Sequence, residues 1–273
     1  MGEQIRERAA LESALSGMGR VAVAVSGGVD SLTLASFAHR LLGADCEMYH
    51  AVSPAVPGEA TQRAQLLACR EGWALHIIDA GEFESAEYMR NPVNRCFHCK
   101  TSLYGAISPR TVGQVVSGTN IDDLGEYRPG LIAAREHGVR HPFVEAGMNK
   151  RAVRELSRAL GLGEVAELPS APCLSSRIET GIAIDSAMLA RVHQTERLIG
   201  AALQPETVRC GVRARGVVIE LDEASLRALD AGRREELAGQ ISGLFGDGGF
   251  AFAVSFEPYR VGSAFLHFKA PAR

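Results

Sequence analysis

Hydrophobic positions along the chain switch between two periods. Residues 21–25, VAVAV, form a short apolar run bounded by glycine, which suits a strand buried on both faces. From there Leu32, Leu34, Ala35, Ala38, Leu41 and Leu42 recur at helical spacing up to Gly43. The alternation continues, with strands predicted over 46–52, 74–78 and 112–116 and a helix over 59–71. Ahead of it, residues 3–16 read as an amphipathic helix with Ile5, Leu11 and Leu15 near one face. A polar stretch, 82–100, interrupts the pattern before it resumes over 101–107. Helices are then predicted over 128–138 and 149–160, the second capped by Asn149. Strands alternating with helices predict a parallel sheet covered on both faces, with ligands at the carboxyl ends of its strands.

At Glu167 the periodicity stops. LPSAPCLSSRIETG has two prolines and no hydrophobic period, the mark of a linker or a functional loop. Beyond it a helix is expected over 185–203, one or two strands over 208–221, two short helices over 223–244, and strands over 250–256 and 263–268. The expected organisation is an α/β domain over 1–166, an active-site loop and linker over 167–184, and a smaller α+β domain over 185–273.

Composition narrows the function classes. With 46% hydrophobic and 22% charged residues, the 273-residue chain has the balance of a soluble globular protein. Its formal charge of −3 gives no general electrostatic drive toward nucleic acid, so a nucleic-acid partner is not expected. No apolar run approaches the roughly 20 residues that span a bilayer. The first residues carry charges throughout, so a cytoplasmic location without membrane association is expected. Six cysteines in such a chain argue for thiols, metal binding or catalysis rather than a disulfide scaffold.

Three main stretches, with two smaller groups beside them, carry candidate chemistry. Ser26, Gly27 and Gly28 turn from the first strand into the first long helix, with Asp30 and Ser31 in the helix's first turn. Such a turn is an anion site, because small residues admit the ligand to unpaired N–H groups and the helix dipole favours phosphate. Asp30 also suits a plain first-turn acid complementing that dipole. A second turn, Gly118 to Asp123, follows the fourth strand and brings Asn120, Asp122 and Asp123 to the same end of the sheet, unless it is only a solvated Asx turn. His50, Ala51 and Val52, at the end of the second strand, stand where an adenine could bind, unless each is only a loop contact that closes the fold. The third stretch contains Cys173, between Pro172 and two serines, with Arg177 four residues on as a cation able to lower a thiol pKa or bind phosphate. Cys96 and Cys99 form a CxxC pair that is open to a redox couple, half of a zinc site or part of an iron–sulfur site.

SGGVDS lacks the lysine of a Walker loop and resembles the SGGxDS loop of the N-type ATP pyrophosphatases, the PP-loop superfamily. On that resemblance the first domain is a PP-loop, adenine nucleotide alpha hydrolase-like domain that cleaves ATP to AMP and pyrophosphate, and Asp30 helps hold Mg2+. Together with NPVNRCFHCK, GTNIDDLGEYRPG, EHGVRHPFVEAG and APCLSSRIETG, it is similar to the LarE family of ATP-dependent sulfur transferases. These build the nickel-pincer cofactor of lactate racemase. The resemblance implies adenylation of pyridinium-3,5-biscarboxylic acid mononucleotide, attack by the Cys173 thiolate, and elimination that leaves a thiocarboxylate and dehydroalanine. It also implies Lys100 near the phosphates or adenylate, Arg209 on the substrate phosphate, and a homo-oligomer. The family's second phosphate-binding arginine falls on Gly211, a departure from the pattern. Some three-cysteine members of the family are read as holding a [4Fe-4S] cluster, here on Cys96, Cys99 and Cys173, with sulfide carried by the open iron. A tRNA thiolase, an amide-forming synthetase, or a nucleotide sensor without turnover also fits the first loop taken alone.

Overall fold

A computed structural model describes residues 2–125, 128–170, 172–246 and 253–265. The chain divides into two units, one of residues 1–85 and 94–171, the other of residues 86–93 and 172–273. Residues 86–93, which the sequence pattern places inside the α/β domain, thus belong with the second unit.

The first unit runs α1 (Gly2–Ser16), β1 (Val21–Ala24), α2 (Val29–Leu42), β2 (Cys46–Ala51), α3 (Gly58–Glu71) and β3 (Ala74–Ile78). After α4 (Ala86–Met89), which belongs to the second unit, it resumes with α5 (Arg95–Ile107) and β4 (Gln114–Ser117). It closes with α6 (Pro129–Glu136), α7 (Pro142–Glu145), α8 (Lys150–Ala159) and α9 (Gly163–Ala166). Its four strands are all parallel in the order β3-β2-β1-β4. β1 is buried along its whole length because both faces are covered. Val21, Val23 and Val25 pack with Leu32, Phe37, Met48, Phe143 and Val153. Ala22 and Ala24 face the other way, toward Tyr49, Tyr104 and Ile107. Fully burying side chains of this size contributes about 1.5–3 kcal/mol each.

Three expectations shift. Leu11 and Leu15 of α1 are buried, but Ile5 is 64% exposed and lies off that face. The polar stretch before residue 101 is not a loop to its end, since α5 begins at Arg95 and both CxxC cysteines are helical. At β4, Val112 is exposed in a turn where the Thr111 hydroxyl accepts from the Gly113 N–H (2.9 Å), so pairing starts two residues late. Asn149 does cap α8, its side-chain oxygen accepting from Ala152 N–H at 2.9 Å.

The second unit contains α10 (Ser186–Leu203), β5 (Val208–Arg213), β6 (Gly216–Leu221), α11 (Glu223–Ala228), α12 (Ala231–Phe245) and β7 (Val254–Pro258). β5 and β6 are antiparallel, and β7 runs parallel to β6. On one sheet face Cys210, Val212, Val217, Ile219 and Leu221 are buried. The expected strand over 250–256 is observed from Val254, its first residues lying outside the described ones. Residues 263–265 are a turn rather than a strand, and 266–268 lie outside the described residues. Among the described residues no helix is long and apolar enough to cross a membrane.

Candidate active site

In the first unit the chain goes from β1 to β2 and β3 on one side and returns to β4 on the other. The carboxyl ends of β1 and β4 are therefore neighbours at a topological switch point, where parallel sheets bind ligands. Ala24 pairs with Ser117, so the two glycine turns begin side by side. A Cβ on Gly118 would stand 2.8 Å from the backbone of Asp30 and Ser31, and only glycine lets the turns meet this closely. If the two turns together hold ATP, as the sequence predicts, Gly118→Ala should push the first loop out of shape and weaken that binding by about tenfold or more, measured by calorimetry; unchanged affinity would show that the two turns do not form one site.

The first turn is drawn tight by its serines. Ser26 N–H donates to Ser31 Oγ at 3.0 Å, the two hydroxyls are 3.0 Å apart, and Ser31 Oγ donates to Gly28 carbonyl at 3.1 Å. Gly27 has φ +80°, and a Cβ there would lie 2.5 Å from the Ala60 carbonyl oxygen. Two braces stand behind the turn. Arg63 of α3 donates to the Gly27 carbonyl at 3.1 Å. His50 is fully buried, with Nδ1 2.8 Å from the Val25 carbonyl and Nε2 2.9 Å from Thr61 Oγ1. Burial holds its pKa below the ordinary value, so the neutral ring donates to the carbonyl and accepts from the hydroxyl. His50 is thus a strut behind the loop rather than an open adenine contact. Ala51 beside it is half-buried against the Tyr49 and Tyr104 cluster.

Asp30 accepts from Asn120 Nδ2 at 3.2 Å and is ion-paired with the Lys150 ammonium at the start of α8. Lys150 was not singled out from the sequence. Asp122 accepts the Lys150 N–H at 2.9 Å, and Asp123 accepts the Asn120 N–H at 3.0 Å while pairing with Arg128 at 2.9 Å. Both carboxylates of this turn thereby hold protein groups, Asp122 the start of α8 and Asp123 the Asn120 N–H and Arg128. Lys100 of α5 crosses Gly130 and has its ammonium 5.7 Å from the Tyr104 ring centroid. Its charge also reaches His141, whose Nδ1 is 2.9 Å from Ser117 Oγ at the end of β4. Burial, more than the opposing charges around it, lowers the His141 pKa. Ser26, Gly27, Gly28, Asp30, Ser31, Gly118, Asn120 and Lys100 are in this way gathered at one end of the sheet.

The cysteines separate by environment. Cys46 and Cys210 are buried, and desolvation pushes Cys46 up to about 12 and Cys210 higher still, which leaves both inert as thiolates. Cys69 is exposed on α3. Cys96 and Cys99 stand one turn apart on α5, exposed and half-exposed, where two thiolates can share one metal or cluster edge. Within the first unit the described residues add no third His, Cys, Asp or Glu to make a metal-binding group with them.

Cys173 is half-exposed in the second unit, in extended backbone just before a single helical turn, Leu174–Arg177. The loop is tied on every side. Tyr88 and Ser175 hydroxyls meet at 2.7 Å, and Asn91 Nδ2 donates to Glu179 and Ile182 carbonyls at 2.9 Å each, which explains why 86–93 belongs to this unit. Arg177 has a different task from the expected thiol or phosphate partner. Its guanidinium is bound by Glu196 through Nε at 2.9 Å and a second nitrogen at 3.1 Å, and it donates to the carbonyls of Pro172 and Cys173. Glu196 also accepts the Cys210 N–H at 3.0 Å, which joins the loop to β5. Arg209 of β5 stacks its guanidinium 5.7 Å over Tyr259. Burial and then the neighbouring Arg177 charge lower its pKa, against the opposing charges of Glu196 and Glu220.

No family model matches the chain. Its sequence is 39% identical to the uncharacterized protein slr1717 of Synechocystis over 181 residues, 65% of this chain and 67% of that one. It is 25% identical to the uncharacterized protein MJ0830 of Methanocaldococcus jannaschii, over 88% of this chain and 91% of the other. It is also 29% identical to the pyridinium-3,5-bisthiocarboxylic acid mononucleotide synthase of Lactiplantibacillus plantarum, over 81% of each chain.

Proposed function

The chain belongs to the LarE family of sulfur transferases, and from that premise we propose that it converts a carboxylate of pyridinium-3,5-biscarboxylic acid mononucleotide into a thiocarboxylate at the expense of ATP. The product would serve a nickel-pincer cofactor such as that of lactate racemase. The observation that carries the reading is the pair of glycine turns packed against each other at the switch point. A carboxylate is a poor electrophile until one of its oxygens attacks the α-phosphorus of ATP and pyrophosphate leaves. In this reading the Ser26 to Ser31 loop and Gly118 cradle the phosphates, Asn120 orients Asp30, and Lys100 neutralises developing negative charge. Mg2+ would bind at Asp30 and screen the phosphates.

Arg209 is assigned the substrate phosphate, with Gly211 at the place of the second arginine that the family resemblance implies. The Cys173 thiolate attacks the acyl carbon and AMP departs. Loss of the Cys173 Cα proton then breaks the Cβ–S bond, leaving the thiocarboxylate and dehydroalanine. Cys96 and Cys99 are suited to hold two corners of a [4Fe-4S] cluster, which would supply exchangeable sulfide in place of a sacrificed side chain.

Protein purified without oxygen, then given ATP, Mg2+ and the biscarboxylate mononucleotide, should release pyrophosphate in step with thiocarboxylate. Iron content and intact mass separate the two sulfur sources. Iron-free protein that loses the mass of one hydrogen sulfide per product marks Cys173 as the donor, whereas iron with unchanged mass over several turnovers marks the cluster. Pyrophosphate release without any sulfur in the product would defeat the assignment.

A further inference from the structure

Alternate residues of a strand share a face, so Arg209, Gly211 and Arg213 of β5 stand in one row. Arg213 is 7% exposed, and its guanidinium is held by protein groups. A Cβ at position 211 would fall 2.5 Å from Arg213 Cζ. The guanidinium thus lies flat on Gly211 and occupies the space that any side chain there would take. From this seat one nitrogen donates to the Arg177 carbonyl at 2.8 Å. Another donates to Ser263 Oγ at 2.8 Å and lies 3.4 Å from Glu220, which itself accepts from Ser263 at 2.9 Å. The segment reached in this way is strand-like: Ile178 bridges Val212, and Glu179 N–H donates to the Val212 carbonyl at 2.9 Å.

We infer that Arg213, seated on Gly211, is a positioning residue for the Cys173 thiol. Arg213 fixes the carbonyl of Arg177, and the Arg177 guanidinium fixes the carbonyls of Pro172 and Cys173. The departure from a second arginine at 211 is thereby explained. Any side chain at 211 would evict the guanidinium that anchors the loop, so the position trades a ligand-facing cation for a fixed nucleophile. The transfer readout below rests on the role proposed for Cys173, but the thiol-reactivity readout does not.

The decisive variant is Gly211→Ala. Alanine at an ordinary strand position should otherwise favour the fold, so any damage reports the lost guanidinium seat. Arg213→Lys is the companion, since it keeps the charge beside Glu220 and removes the planar fork. In both full-length proteins, iodoacetamide modification of the Cys173 peptide, followed by mass spectrometry, should quicken about fivefold or more as the loop loosens. Pyrophosphate release should stay within about twofold of the parent while thiocarboxylate formation falls about tenfold or more. Because the two changes break one contact, the double variant should be no worse than the single ones. A folded Gly211→Ala protein with parental Cys173 reactivity and transfer would overturn the inference, as would equal loss of pyrophosphate release and transfer. If the parent makes no thiocarboxylate, the proposed reaction falls, and Cys173 reactivity alone still decides the role of Arg213.

Discussion

Cys173→Ala should release pyrophosphate within about twofold of the parent rate and form no thiocarboxylate. The separation follows from where each step is housed. In the proposed reaction, activation of the carboxylate uses the glycine turns of the first unit, and none of the hydrogen bonds that shape them involves Cys173. Transfer needs sulfur, which alanine cannot provide and serine cannot replace. The loop itself should survive the change. Its anchors at this residue are backbone ones: the Cys173 carbonyl accepts from Ser176 Oγ at 2.7 Å and from Arg177 at 3.0 Å. A half-exposed side chain with no core role should cost no more than about 0.5 kcal/mol on removal. Thermal melting checks that condition, and chromatography of the product with no sulfide added checks the chemistry. Thiocarboxylate from the alanine variant would remove Cys173 from the mechanism.

How far the sequence revealed this site depends on the range of the interactions involved. The VAVAV run, the glycine turn after it and the Asn149 cap are local signals, set by residues a few positions apart, and each was legible. That Gly118 must be glycine was legible only as a turn. Its physical reason, the 2.8 Å approach to Asp30 and Ser31, depends on β1 and β4 being neighbours. Lys150 looked like an ordinary first-turn residue of an amphipathic helix, and its pairing with Asp30 spans 120 positions. Arg177 shows the converse error. Four residues from a cysteine, it read as a partner for the thiol, but Glu196 lies one helix away and captures the charge. Residues 86–93 were misplaced for a similar reason: nothing local records that Asn91 will satisfy three carbonyls near residue 180.

Lys150→Met and Asp30→Asn should fail in different ways. Asp30 carries the Lys150 ammonium with both side chains partly open to solvent, at 26% and 33% exposure. An exposed pair of this kind contributes little to stability, about 0–1 kcal/mol, so its consequence is positional: it orients the Asp30 carboxylate beside the loop. In the proposed reaction Mg2+ brought with ATP would carry twice the charge and compete for Asp30, which would leave the Lys150 ammonium available to the phosphates. Removing the metal ligand in Asp30→Asn should raise the Mg2+ needed for half-maximal pyrophosphate release and lower the saturated rate about a hundredfold. Removing the ammonium in Lys150→Met should raise the ATP needed for half-saturation by about ten- to a hundredfold, the worth of a charge-assisted hydrogen bond of about 1.5–3 kcal/mol. The Mg2+ requirement should not rise, because Asp30 loses a competitor rather than a helper. The double variant should show less than the sum of the two losses in free energy, since the residues share one contact. Initial rates of pyrophosphate release, with ATP and Mg2+ varied independently, separate these patterns, and a Lys150→Met protein with the parent's ATP requirement would reduce the ion pair to a surface feature.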